Sequence, residues 1–356
     1  LCKIDTARAT LTVFPRPIPR HRTLRGLALF ALISSAACSS APAPAPALAA
    51  PAPGVSADIA WLASPLLEGR ATGSAGNDSA ALYIARTYVQ IGLPGAFPSI
   101  RCEVAPCDAR YDQLFIPPPG ALQEAGIRPD AAGRNMGAIV PGSDSLLHSQ
   151  YVVIGAHFDH LGRTGFGAMD RRTPNEPHLG ADDNASGTAA VLELARRLAR
   201  RPVRRSVVLV NFGAEELGLY GSRAFVVRPP VKLDSVVAMI NIDMVGRLRR
   251  DRVYVYGLRE NREWKRWLAE ANATVHLTPE LHDEPGLQGT ASDHDNFSAV
   301  GIPSIHFTTG THAEYHTADD KWETIDINGE MRVITLIENL IRILGDVPNV
   351  GAPLRR

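Results

Sequence analysis

Apolar runs alternate with amphipathic helical stretches through most of this 356-residue chain, and that alternation restricts its fold more than any other feature. Tyr151 to Ala156, Ser206 to Phe212, Val236 to Ile242 and Gly301 to Thr308 read as strands. The second is apolar at nearly every residue, as in a strand covered on both faces. Asn135 to Val140 and Val253 to Tyr256 read as further strands. Thr188 to Arg200, Glu215 to Phe225 and Glu260 to Ala271 space their apolar residues as helices do, and Met331 to Leu344 is a closing amphipathic helix. Upstream, Asp58 to Leu67 and Ser79 to Ile91 are helical and are separated by Gly69-Arg70-Ala71-Thr72-Gly73. Strands alternating with helices predict an α/β fold: a three-layer sandwich with a mostly parallel, mixed central sheet covered by helices on both faces. Such sheets form ligand sites at the carboxyl ends of their strands.

The residues at those ends carry chemistry. His157-Phe158-Asp159 ends one run, Glu215-Glu216 follows the next, and Asp243 ends the third. Tyr315-His316-Thr317 lies in a polar loop after the fourth. Between the first two, Gly180-Ala-Asp-Asp-Asn-Ala-Ser-Gly187 opens a helix with two adjacent acids. Carboxylates at a helix start are either caps or metal ligands. Taken singly, each residue has an ordinary structural reading. Taken together, two histidines and three acidic positions at segment ends are the inventory of a two-metal hydrolytic site. Residues two apart in an extended segment point to one side, so Asp159 can accept the second ring N–H of a metal-bound His157. Of two adjacent glutamates, one can bind metal while the other moves a proton. The Tyr315 hydroxyl can donate to an oxyanion. His160, His178, His276, His282 and His312 have no partner visible in the sequence, and His294 reads as structural or pocket-lining.

Lys plus Arg and Asp plus Glu number 37 each, so no charge excess asks for a nucleic-acid partner. The four cysteines lack zinc-knuckle spacing. Residues 1–38 read as an export signal: Arg16, Arg20, Arg22 and Arg25 precede apolar Leu27 to Ala37, a run too short to span a bilayer as a stable helix. Cys38 is a candidate lipid-bearing cysteine, and membrane attachment is expected only there. Residues 39–54 are an Ala/Pro-rich linker, 55–348 a single catalytic domain and 349–356 a tail. The expected location is outside the cytoplasm: periplasmic, envelope-anchored or secreted. There, Cys102 and Cys107 are expected to form a local disulfide.

Six segments carry a family resemblance: Ala156-His-Phe-Asp-His-Leu-Gly162, Gly180 to Gly187, Gly213-Ala-Glu-Glu-Leu-Gly-Leu-Tyr-Gly-Ser222, Asn241-Ile-Asp-Met-Val-Gly246, Ser292-Asp-His-Asp-Asn-Phe297 and Tyr315-His-Thr317. From about Asp58 to Leu344 the chain resembles the di-zinc exopeptidases that include bacterial leucyl and broad-specificity aminopeptidases. Glutamate carboxypeptidase II, the transferrin receptor and animal glutaminyl cyclases are more distant relatives. The resemblance implies two zinc ions. His157 and Asp243 would hold one, Glu216 and His316 the other, with Asp183 rather than Asp182 bridging them. It implies Glu215 as general base, Asp159 behind His157, and Tyr315 as a stabiliser of the tetrahedral intermediate. The substrates would be peptides with a free N-terminus. The interval from Leu67 to His157 is too short for the protease-associated insert of some members. A one-zinc glutaminyl cyclase and a non-catalytic lipoprotein with a relic site are the alternatives, and both would be expected to lack ligands that are present here. A carboxypeptidase-like preference would need basic pocket residues, for which Arg247 and Arg259 are candidates.

Overall fold

The computed structural model describes residues 54–98, 109–163, 166–170, 176–258, 262–282, 291–348 and 350. The export signal, nearly all of the linker, Cys38, Cys102, Cys107, Arg259 and the tail apart from Val350 lie outside the described residues. The chain runs α1 (Val55–Leu62), α2 (Ala75–Ile91), a two-stranded ribbon of β1 (Phe97–Pro98) and β2 (Ala109–Arg110), β3 (Asp112–Phe115), α3 (Pro119–Glu124), β4 (Gly133–Val140) and β5 (Tyr151–His157). It continues through α4 (Gly187–Arg200), β6 (Ser206–Phe212), α5 (Tyr220–Val227), β7 (Val236–Ile242), β8 (Arg252–Tyr256), α6 (Arg262–Asn272), β9 (Thr278–His282), α7 (His294–Ala299), β10 (Ser304–Thr308) and α8 (Ile327–Asp346). No described helix is long and apolar enough to cross a membrane.

The main sheet has eight strands in the order β3-β4-β6-β5-β7-β10-β8-β9. Its centre, β6-β5-β7-β10, is wholly parallel. Antiparallel pairings join β4 to β6 on one side and β8 to β10 on the other. Side chains on successive strand residues point to opposite faces. Val152, Ile154, Val207, Leu209, Ala238 and Ile240 therefore meet α1, α2, α4 and α8 in one apolar cluster. Val153, Val208, Val210, Phe212 and Met239 meet Phe225 of α5 and Phe297 of α7 in a second cluster on the other face. This is the three-layer sandwich that the alternation predicts. All four parallel strands end on one edge, so His157, Glu215-Glu216, Asp243 and the loop after β10 are brought together by topology alone.

One expected element starts late. The helix read from Glu215 begins at Tyr220. Glu215 to Leu219 form a turn, bracketed by left-handed Ala214 (φ 56°) and Leu219 (φ 60°). Both glutamates are thereby held at the strand end rather than on a solvated helix face.

The packing leaves a carboxyl group of α8 without compensation. Glu330 of α8 is fully buried, and neither of its carboxyl oxygens has a hydrogen-bond partner. Burial, reinforced by Asp182, Asp58 and Asp326, raises its pKa well above the usual glutamate value. The folded state thus keeps a proton that the unfolded chain releases. From the unfolded pKa upward, stability falls with rising pH until the folded group also ionises, by up to about 1.4 kcal/mol per pH unit. Glu330→Gln removes that slope. In thermal denaturation, its Tm gain over the parent is expected to be small near pH 5 and larger near pH 7.5. An equal difference at both pH values would contradict this account.

Candidate active site

The Asp183 carboxylate sits between two imidazoles. His157 Nε2 lies 3.2 Å from its Oδ1, and His316 Nε2 lies 3.0 Å from its Oδ2. His157 Nε2 is also 3.3 Å from Asp243 Oδ1, and His316 Nε2 is 3.4 Å from Glu216 Oε2. Two ligands bound at 2.0–2.1 Å in tetrahedral geometry lie about 3.3 Å apart, so these spacings fit zinc. Among the described residues, three groups have donor atoms within 4.8 Å of one another: His157 with Asp183 and Asp243, His160 with Asp183 and Glu216, and His157 with Glu215 and Glu216. Glu215 stands further out, its Oε2 4.0 Å from His157 Nε2.

The turn carrying Asp183 is shaped by its own sequence. Gly180 is left-handed (φ 60°), and a Cβ there would lie 2.2 Å from the Asp183 carbonyl and 2.5 Å from the His160 ring. The Asn184 amide donates to the Ile242 carbonyl (3.0 Å), and its Oδ1 accepts from Gly187 (2.8 Å) and Met244 (3.2 Å), fastening the turn to the end of β7. Gly187 leaves room for that contact, because a Cβ would fall 2.3 Å from Asn184 Oδ1. Ser186 accepts from Val245 N–H at 3.1 Å, and Thr188 donates to the His157 carbonyl at 2.8 Å. Asp320 accepts from the Asp182 and Asp183 N–H groups, at 3.0 Å each.

Arg70 is one residue that sequence reasoning missed. Its guanidinium is fully buried and donates to four carbonyls: Phe158 (2.8 Å), Leu62 (2.5 Å), Leu179 (2.7 Å) and Gly180 (2.9 Å). It therefore holds the segment after β5 and the Gly180 turn together. Burial lowers its pKa to about 10, against the pull of Asp320, Asp159, Asp183 and Glu216, and it stays charged at neutral pH.

Several sequence expectations need correction. The nearest acceptor for His157 Nδ1 is the Asp159 carbonyl at 3.1 Å, whereas the Asp159 carboxylate lies 3.9 Å away. That carboxylate instead accepts from Glu215 N–H (3.1 Å) and Thr72 Oγ1 (3.2 Å), because the chain turns after β5. Asp159 positions the Glu215 backbone as much as the His157 ring. His160 does have a partner: its Nδ1 lies 2.8 Å from Glu216 Oε1. Its only sequence signal is its place directly after Asp159. His312 also has partners, with Nε2 3.1 Å from Asp182 Oδ2 and Nδ1 3.0 Å from Glu314 Oε2. Glu314 in turn pairs with Arg247 at 2.7 Å. The charge of Arg247 is thus matched within the chain. This chain ties the loop bearing Tyr315 and His316 to Asp182. His178 lies 3.2 Å from Asp170. His294 stacks on His306, ring centroids 4.9 Å apart, in keeping with a structural role.

Charge is concentrated here. Burial, opposed by His157 and reinforced by Glu216 and Asp243, raises the Glu215 pKa well above the usual value. Burial and Asp183 raise Glu216 to about 8. The His316 pKa rises to about 9, since Asp183 and Glu216 outweigh its burial. Asp183 is held well below the usual carboxylate range, because hydrogen bonds from His157 and His316 outweigh its burial. Burial and the surrounding carboxylates push the Tyr315 phenol up, so it keeps its proton. Its ring stacks on His316, centroids 3.9 Å apart. A cavity of about 590 Å³ opens over these groups, with Tyr315 in its wall.

A model of peptidase family M28 matches residues 135–341, more than half the chain. Aminopeptidase YwaD of Bacillus subtilis is 32% identical over 192 residues, covering 51% of this chain and 38% of that protein. A probable leucine aminopeptidase of Arthroderma benhamiae is 26% identical over 229 residues, covering 60% of this chain and 56% of that protein. The chain thus matches little more than half the length of these curated relatives, or less. Among solved structures, a zinc aminopeptidase from Bacillus subtilis aligns with TM-score 0.62 and 18% identity, covering 84% of this chain and 96% of that one. A Zn-dependent exopeptidase from Parabacteroides distasonis aligns with TM-score 0.62 and 20% identity, covering 83% and 99%. Likeness at that identity establishes the shared fold.

Proposed function

We propose that this chain, which belongs to peptidase family M28, is a zinc aminopeptidase that removes N-terminal residues from peptides. The observation that carries the proposal is Asp183, whose two carboxylate oxygens face two separate donor sets at 3.2 and 3.0 Å. On this reading His157, Asp183 and Asp243 hold one zinc ion, and Asp183, Glu216 and His316 hold a second. Zinc bound there supplies a water of near-neutral pKa and polarises the scissile carbonyl.

Glu215 takes the proton of the attacking water and returns it to the leaving amine. Its backbone is held by Asp159 at 3.1 Å, which fixes the base without engaging its carboxylate. Tyr315, protonated and in the cavity wall, donates to the developing oxyanion. The acidic lining orients the ammonium group of a free N-terminus. Complete donor sets favour this over a one-zinc cyclase or a relic binding site. The basic and apolar residues between Arg16 and Ala37 favour export of the chain.

The test is zinc content per chain, measured alongside hydrolysis of aminoacyl and N-blocked aminoacyl chromogenic substrates. About two zinc ions and cleavage of the unblocked substrates alone are expected. One zinc or none, with neither substrate cleaved, would overturn the proposal.

A further inference from the structure

The cavity above the metal-ligand cluster has a second wall of opposite charge. Because β8 runs antiparallel to β10, the start of β8 lies beside the end of β10, with Tyr254 paired to Thr308. The turn entering β8 therefore reaches the same sheet edge as Asp243, and Arg249, Arg250 and Arg252 line the cavity there. Their charges are unequally matched. Arg252 pairs with Glu280 at 3.0 Å. Arg249 donates to the Thr311 carbonyl at 2.8 Å, which carries no charge, and Arg250 has no partner among the described residues. Both are exposed. Asp251, between them and Arg252, points elsewhere and pairs with Arg332.

We propose that Arg249 and Arg250 form a carboxylate-binding rim. The rim would select peptides that carry a negative charge a short distance from their free amino terminus. This rests on the aminopeptidase reading, which places the ammonium group at the opposite, acidic wall. The strand spacing sets the length. β8 stands two strands from β7, about 10 Å at 4.8 Å per strand. An extended peptide covers about 3.3–3.6 Å per residue, so two or three residues bridge the walls. The carboxylate can belong to the C-terminus of a di- or tripeptide or to an acidic side chain near the cleaved bond. Arginine suits both, because its planar fork meets a carboxylate with paired donors.

The experiment compares the zinc-loaded parent with an Arg249→Gln/Arg250→Gln double variant. Three peptide sets are used: short peptides with a free C-terminus, the same peptides amidated, and amidated peptides with Asp or Glu in one of the first three positions. The ratio of kcat/KM for charged over neutral peptides is expected to fall about tenfold in the variant, with a smaller difference at high salt. A fall confined to the free C-termini assigns the rim to the terminal carboxylate, and one confined to the acidic side chains assigns it to those. An unchanged ratio in both sets overturns the proposal. Equilibrium binding of the same peptides gives the comparison without turnover. A parent that cleaves no neutral peptide yet binds charged ones in an arginine-dependent way would separate failure of the aminopeptidase reading from failure of the rim.

Discussion

Glu215→Gln is expected to bind zinc as the parent does and to lose turnover by about a thousandfold. The substitution keeps the shape of the side chain and removes the atom that accepts a proton. The ligand set named above draws on Glu216, whose oxygens lie 2.8 Å from His160 Nδ1 and 3.4 Å from His316 Nε2. Glu215 comes no closer than 4.0 Å to the nearer imidazole, and its position is set through its backbone N–H by Asp159. Neither of those features changes when the acid becomes an amide. The loss is therefore expected in kcat, with KM for a neutral peptide changed little, as for a group that acts on the transition state. The spacing also permits a competing arrangement, because donor atoms of His157, Glu215 and Glu216 fall within 4.8 Å of one another. Zinc titration distinguishes the two. A variant that loses zinc in step with activity would make Glu215 the ligand and pass the proton to Glu216.

The central strands were legible because they are covered on both faces. Ser206–Phe212 and Val236–Ile242 have the ends that their apolar runs announce. The candidate site was legible for a related reason: in a parallel sheet, residues far apart in sequence that end successive strands must share one edge. Edge elements were not. β9 (Thr278–His282) contains Pro279 and Glu280 and is half-exposed, so its residues look like a loop. β3 is four residues long and buries only Gln113 fully. The contacts that hold the site were also invisible. Asp182 and His312 are 130 positions apart in the chain, and neither residue type announces the other. Asp159 shows where local geometry misleads. Two-residue periodicity places its carboxylate behind His157, but the chain leaves the strand at His157 and the carboxylate goes to Thr72 and Glu215 instead.

Arg70 was read as part of a polar helix break, since Gly69-Arg70-Ala71-Thr72-Gly73 has the composition of a loop. Its replacement is expected to be among the most damaging single changes outside the proposed metal ligands. Arg70→Met fills most of the volume and leaves the carbonyls of Leu62, Phe158, Leu179 and Gly180 without their donor. Each orphaned buried acceptor costs about 1–3 kcal/mol, less where water enters. The positive charge that faces Asp320, Asp159, Asp183 and Glu216 is lost as well. A net destabilisation of about 3–5 kcal/mol is expected, as for other buried charged groups that lose a partner. In a domain of this size that lowers Tm by about 6–12 °C. Arg70→Lys is expected to recover only part of the loss, because an ammonium group has three donors and cannot span carbonyls arranged for a planar fork. The same bonds set the spacing between His157 and Asp183, one from each tethered segment. Zinc affinity is therefore expected to fall about 10–100-fold in Arg70→Met, a range typical of groups that orient metal ligands. Thermal denaturation and zinc titration of both variants test this. A Tm within 2 °C of the parent, or zinc affinity unchanged in Arg70→Met, would show that the two segments are held by their other contacts and that Arg70 merely fills space between them.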